Sequence, residues 1–156
     1  MELMIVIVLI VIIAAIAIPS ITDAKMSADE AAAVGSIRTI SQAELTYQAS
    51  YGGFADSLGN LGGAEPCTRS AESACLLDES LAGGVKAGYF FAAAGGHPAD
   101  SGNTTFVVGA APQVFNRTGK RLFCATEKNV IRADSNTAGS TTPPAAEQCA
   151  TFKALK

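Results

Sequence analysis

The chain has 156 residues, a formal net charge of −3 and 49% hydrophobic residues, enough for one domain plus an anchoring segment. So small a net charge gives no argument for a polyanionic partner, and no GxSxG, GxxxxGK[ST] or HExxH motif argues for nucleophilic, phosphate or zinc-hydrolase chemistry. The four cysteines form no CxxC or CxxCH, and the one histidine, His97, has no partner at ligand spacing, so no metal, cofactor or catalytic residue is expected.

Residues Leu3 to Ile18 carry no charged or polar side chain; Glu2 stands at their amino-terminal edge and Pro19 closes the other end. As a helix this run extends about 24 Å, slightly short of the roughly 20 residues a bilayer requires. Ile and Val prevail in it, but a lone strand cannot satisfy its backbone in lipid, so a helix is expected. Ordinary anchors and export signals carry Lys or Arg before the apolar run. A carboxylate there points instead to an ion pair made inside an assembly.

The segment MELMIVIVLIVIIAAIAIPS resembles the start of a bacterial type IV pilin or a related pseudopilin, whose mature end usually reads Phe-Thr-Leu-Ile-Glu-Leu before a similar run. The resemblance is close from Glu2 to Ser20 and weaker along the next helix, through TYQASYGGFADSLGNLGG. It implies that Glu2 is the acidic residue placed near the processed amino terminus of a neighbouring subunit, and that Pro19 is the family's helix-breaking proline. The helix is expected to kink or melt near Pro19, over about Ala14 to Asp23, when the subunit enters a filament. The family's basic leader, its Gly before the cleavage point and its methylated first residue do not precede Glu2, and Met1 is expected to lie near the mature amino end. The resemblance further implies a structural subunit rather than an enzyme, serving adhesion, motility or DNA uptake. Its partners would be identical subunits in a helical homopolymer, the inner membrane before assembly and the pilus assembly machinery, with the assembled filament outside the cell.

Taken in order, residues 1–19 form the apolar helix segment and residues 20–156 the globular head. Within the head, residues 20–51 read as an amphipathic helix: Ile21, Val34, Ile37, Ile40, Leu45, Tyr47 and Tyr51 approximate one stripe, with Asp23, Lys25, Asp29, Glu30, Arg38 and Gln42 elsewhere. Gly35 marks a candidate close approach to another helix, and Gly52-Gly53 a stop. Residues 52–85 read as an irregular connector with helical turns near Asp56–Leu61 and Ala71–Leu81. Four strands are expected in residues 86–133: Ala87–Ala93, Thr104–Ala111, Arg121–Thr126 and Val130–Ala133, with breaks at Gly95-Gly96-His97-Pro98 and Glu127-Lys128-Asn129. Residues 134–156 form a Ser-, Thr- and Pro-rich loop. One long helix, its second half packed on a roughly four-stranded antiparallel sheet with disulfide-closed loops, is an α+β fold.

The core beyond Pro19 is expected from Leu45, Tyr47, Tyr51, Phe54, Leu58, Leu61, Leu76, Leu77, Leu81, Tyr89, Phe91, Phe106, Val108, Phe115, Leu122, Phe123, Val130 and Ile131. That is thin for the chain length, so crosslinks would help. Of three connectivities for four cysteines, Cys67–Cys75 with Cys124–Cys149 is the expected one, and disulfides imply an oxidising compartment.

Arg117, Lys120, Arg121, Lys128 and Arg132 cluster with only Glu127 opposing them. Nucleic-acid or surface binding is left open by that cluster, although solvated charges at strand edges are the expected reading. Asn103-Thr104-Thr105 and Asn116-Arg117-Thr118 match the N-glycosylation triplet, and the tract around Ser140 could carry O-linked sugar. Asp134-Ser135-Asn136 is a poor calcium cage. His97, with Asp100 and Ser101 nearby, reads as a solvated loop. The runner-up functions are a type II secretion pseudopilin and a singly anchored periplasmic binding module. A soluble protein released by signal cleavage near Ala15-Ile16-Ala17 is a third.

Overall fold

The apolar run and the amphipathic run join into a single helix. The computed structural model describes residues 2–64, 66–96 and 102–155, without the side chains of Glu2 and residues 17–19. Helix α1 (Glu2–Tyr51) spans 50 residues, about 75 Å. It is uninterrupted at Pro19, although proline gives the Ala15 carbonyl no amide hydrogen. Between Ala14 and Asp23 the chain is therefore helical throughout, with no melted segment.

Beyond α1 the connector contains short helices α2 (Leu58–Leu61) and α3 (Glu79–Ala82). The turn expected over Ala71–Leu81 shrinks to α3, because Ala74 through Leu77 instead bond through their backbone amides to the carbonyls of Asn60, Leu61 and Gly62. The sheet has six strands rather than the four expected: β1 (Val85–Lys86), β2 (Tyr89–Gly96), β3 (Thr105–Pro112), β4 (Leu122–Thr126), β5 (Arg132–Asp134) and β6 (Lys153–Ala154). They pair antiparallel in chain order. The two additional strands are dipeptides at the sheet edges, too short for an alternating pattern to reveal. Helix α4 (Ala146–Thr151) lies inside the segment expected to be loop.

Strand β3 reads TFVVGAAP because both its faces are covered. Phe106, Val108 and Ala110 join Ile37, Ile40, Tyr47, Tyr89, Phe91 and Phe123 in the core beneath α1. Val107 and Ala111 pack with Leu122, Phe152 and the Cys124–Cys149 bridge on the opposite face. The disulfides are Cys67–Cys75 and Cys124–Cys149, with Cα–Cα distances of 6.1 and 5.8 Å.

The buried seam of α1 is Met26, Glu30, Ala33, Ile37, Ile40, Glu44 and Tyr47, alternating steps of four and three that keep one face toward the sheet. Ile21, Leu45 and Tyr51 of the expected stripe are exposed, as are Phe115 and Val130 of the expected core. The stripe failed because two seam positions are carboxylates, which an apolar pattern assigns to solvent.

Candidate assembly surface

Every large apolar side chain from Leu3 to Ile16 is 51–75% exposed. The run is apolar all round and has no face suited to water, while the head offers it no covering surface. By length and composition α1 as a whole, Leu3–Tyr51, is long and apolar enough to cross a membrane, with its apolar window near the amino terminus. Glu2 opens the helix, but its side chain, like that of Pro19, lies outside the described residues. The same holds for all of His97, Asp100 and Ser101.

The head is tied to the stem near its base by Glu30. Its Oε1 accepts from the Lys120 backbone N–H at 2.8 Å, and its Oε2 from Arg121 Nε at 2.8 Å and Nη2 at 2.7 Å. Arg121 lies over the Phe123 ring, 5.1 Å from its centroid, and its carbonyl accepts from Tyr89 Oη. Burial and the neighbouring Glu30 carboxylate raise the Tyr89 pKa, so this phenol remains a donor. Arg121 is thus no freely solvated edge charge, which corrects that part of the reading of the basic cluster; Lys120 lies 4.0 Å from Asp23, both exposed. Glu30→Ala removes the acceptor for one backbone amide and one guanidinium. A loss of about 2 kcal/mol of head stability is expected, measurable by urea denaturation, and an unshifted midpoint would show that water replaces the carboxylate freely.

The far end of the head is built differently. Tyr47 and Tyr51 have ring centroids 4.6 Å apart, and Tyr47 Oη donates to the Ala71 carbonyl at 2.7 Å. Asn103 is 4% exposed and its Nδ2 donates to the Phe54 carbonyl at 3.0 Å and to Asp56 Oδ1 at 2.7 Å. That nitrogen is the atom N-glycosylation would use. Folding therefore closes Asn103 to the modification proposed from sequence, whereas Asn116 sits exposed in a turn with φ 63°.

Ser140 is half-buried, and its backbone N–H and carbonyl are both held by the Asn136 side chain. Asp134 Oδ1 accepts from the Asn136 N–H; this carboxylate organises a loop. The buried role of Asn136 was missed in sequence, although an Asn in a Ser/Thr-rich tract is the residue type that makes such turns. Among the described residues no group of three or more His, Cys, Asp or Glu is placed to hold a metal.

No protein-family model, curated protein or solved structure matches the chain.

Proposed function

We propose that this chain is a type IV pilin, a structural subunit stored in a membrane by its apolar stem and then polymerised into an extracellular helical filament. The observation that carries the reading is the exposure of every large apolar side chain from Leu3 to Ile16 in the single chain. Burial contributes roughly 25 cal/mol per Å² of apolar surface, so a rod greasy on all sides must be covered by lipid or by other rods. Exchange between these two dry environments is the chemistry a stored, extractable subunit requires. The two disulfides suit the oxidising space outside the cytoplasm. In this reading the head is a spacer and an outer surface, with no catalytic role.

Glu2 supplies the register. An unpaired carboxylate among apolar rods is costly by several kcal/mol, and the amino terminus of an adjacent copy would neutralise it. Glu2→Ala is expected to stall or misregister fibre growth while leaving the head folded. The check is negative-stain microscopy of fibres sheared from cells, alongside thermal denaturation of the extracted subunit. Normal fibre yield and helical rise in Glu2→Ala would defeat this role. Intact mass would report the true amino terminus, its methylation and both disulfides together. Wild-type protein that remains as lone particles, each stem wrapped only in detergent, would defeat the filament reading itself.

A further inference from the structure

The two ends of the head carry surfaces of different chemistry. At the base, the turn between β3 and β4 projects Val114 and Phe115, 48% and 38% exposed, together with Arg117. Arg117 makes no side-chain hydrogen bond or ion pair with the other described residues; its backbone N–H donates to the Val114 carbonyl. The turn is rigid. Thr118 Oγ1 bonds both the N–H and the carbonyl of Val114, and Asn116 adopts the left-handed conformation. A preformed loop of this kind loses little freedom on docking.

At the tip, Tyr51, Gly52, Gly53, Asp56 and Gly102 line an open cleft of about 490 Å³. A Cβ on Gly52 or Gly102 would meet no atom of the described residues within 4 Å, so the described rim is low. Tyr51 is 40% exposed. Asp56 Oδ1 is taken by Asn103, while Oδ2 has no hydrogen-bond or ion-pair partner among the described residues. The negative end of the α1 dipole points here, and the Tyr47 pKa is raised first by burial and then by the nearby Asp56 carboxylate, with Glu72 adding a smaller push. Arg69, in the Cys67–Cys75 loop, is the one basic residue among described positions 52–72.

We propose that the heads join head to tail, with the Val114–Lys120 turn of one copy seated in the Tyr51–Asp56 cleft of the next. Arg117 places its guanidinium against Asp56 Oδ2 and the Tyr51 face, a pairing of charge and ring that suits arginine. Val114 and Phe115 cover the glycine rim. The two surfaces differ and lie at opposite ends of the head, so the contact is heterologous: it cannot close a dimer and instead propagates. This inference rests on the filament reading and adds a named partner surface to it.

The geometry along α1 is self-consistent. The turn is anchored at the level of Asp23 to Glu30 and the cleft lies at Tyr47 to Asp56. Seating one in the other displaces successive copies by roughly 35 Å along the helix axis, about 23 residues at 1.5 Å each. That displacement sets stem residues 3–16 of one copy beside residues 26–39 of the copy below. There the exposed side of α1 carries the small residues Ala28, Ala31, Ala32 and Gly35, flanked by Ser27 below and by Arg38 and Thr39 above. A Cβ added at Gly35 would meet no atom of the described residues within 4 Å, so the close approach expected at this glycine is made to no described helix of its own chain and is open to a neighbouring stem.

The test is a charge exchange in the full-length chain. Arg117→Glu and Asp56→Arg are each expected to lower the yield of sedimentable fibre about tenfold or more, and the double variant to recover most of it. Thermal denaturation of the extracted subunits, unchanged within a few degrees, shows that the heads still fold. Single variants with wild-type yield, or a double variant no better than either single, overturn the contact while the filament reading stands. Wild-type protein that forms no fibre at all overturns both.

Discussion

Replacing Cys124 and Cys149 together by alanine is expected to lower the unfolding free energy of the head by about 3 kcal/mol. The bridge spans 25 residues of sequence, and closing a loop of that length removes roughly 3.5 kcal/mol of denatured-chain entropy. The Cys67–Cys75 bridge spans eight residues, for which the same relation gives about 2.5 kcal/mol. The longer bridge also matters more in the folded state. It fastens α4 to the outer face of the sheet, and α4 has only six residues, far too few to persist without tertiary support. Both sulfurs are fully buried beside Val107, Ala111, Leu122 and Phe152.

Without the bridge, the carboxyl-terminal segment is held by Phe152, by the Arg132 bonds to the carbonyls of Ala150 and Phe152, and by the short β5–β6 pairing. The double variant should therefore show faster amide exchange through α4 and β6 before the β2–β3–β4 centre opens. Urea denaturation with exchange measured by mass spectrometry reads both effects. A loss below about 1 kcal/mol, with α4 still protected, would mean that apolar docking rather than the crosslink holds this segment.

The outer face also shows why glycine stands in the middle of β3. Gly109 pairs with Cys124, and a Cβ there would strike the Pro144 carbonyl and ring. The disulfide-closed loop thus lies directly on the backbone of the sheet. A long buried strand usually avoids glycine; here close approach of another segment accounts for it.

These particulars mark how far the sequence could be read. The stem was legible because sixteen consecutive apolar residues have few alternatives, and the helix after Pro19 because alanine is abundant and its breaker is a Gly-Gly pair. Strands β2, β3 and β4 were legible from aromatic and β-branched runs. Edge strands β1 and β6 were not, since a dipeptide carries no period. The larger failure concerned polar residues in apolar places. Glu30, Glu44, Asn103 and Asn136 are all at most 8% exposed, and each is buried by a partner far along the chain or in an irregular loop. Glu30 meets residues 90 and 91 positions away, and Asn103 meets Asp56 across 47. Periodicity records the side chain and not the partner, so it set Glu30 off the apolar stripe and gave no sign that Glu44, Asn103 or Asn136 would be buried. The surfaces proposed for assembly were half legible for the same reason: the stem announces itself by composition, whereas the tip cleft exists only once residues 47–56 and 102–103 are folded together.

Glu44 gives the second large effect, and it depends on pH. This carboxyl is fully buried on the core side of α1. Oε2 accepts from the Ala55 N–H at 3.0 Å, while Oε1 has no hydrogen-bond partner among the described residues. Desolvation, only partly offset by that backbone hydrogen bond, pushes its pKa from 4.5 up to about 7. Below pH 4.5 the acid is protonated in both the folded and the unfolded chain. Between 4.5 and about 7 the unfolded chain ionises first and binds fewer protons than the folded one, so stability falls as pH rises. Above about 7 both states are ionised, and the accumulated loss amounts to about 3 kcal/mol. Asp78, whose pKa is lowered chiefly by its bond to Lys86, acts with the opposite sign and below 3.8, outside this window. Wild-type head should therefore melt several degrees higher at pH 5 than at pH 8, and Glu44→Gln, which cannot ionise, should flatten that difference. Equal pH slopes in the two proteins would assign the effect elsewhere. The consequence reaches the assembly surface, because Ala55 adjoins Asp56 in the tip cleft: ionising Glu44 works against the helix–connector junction that holds this cleft in shape.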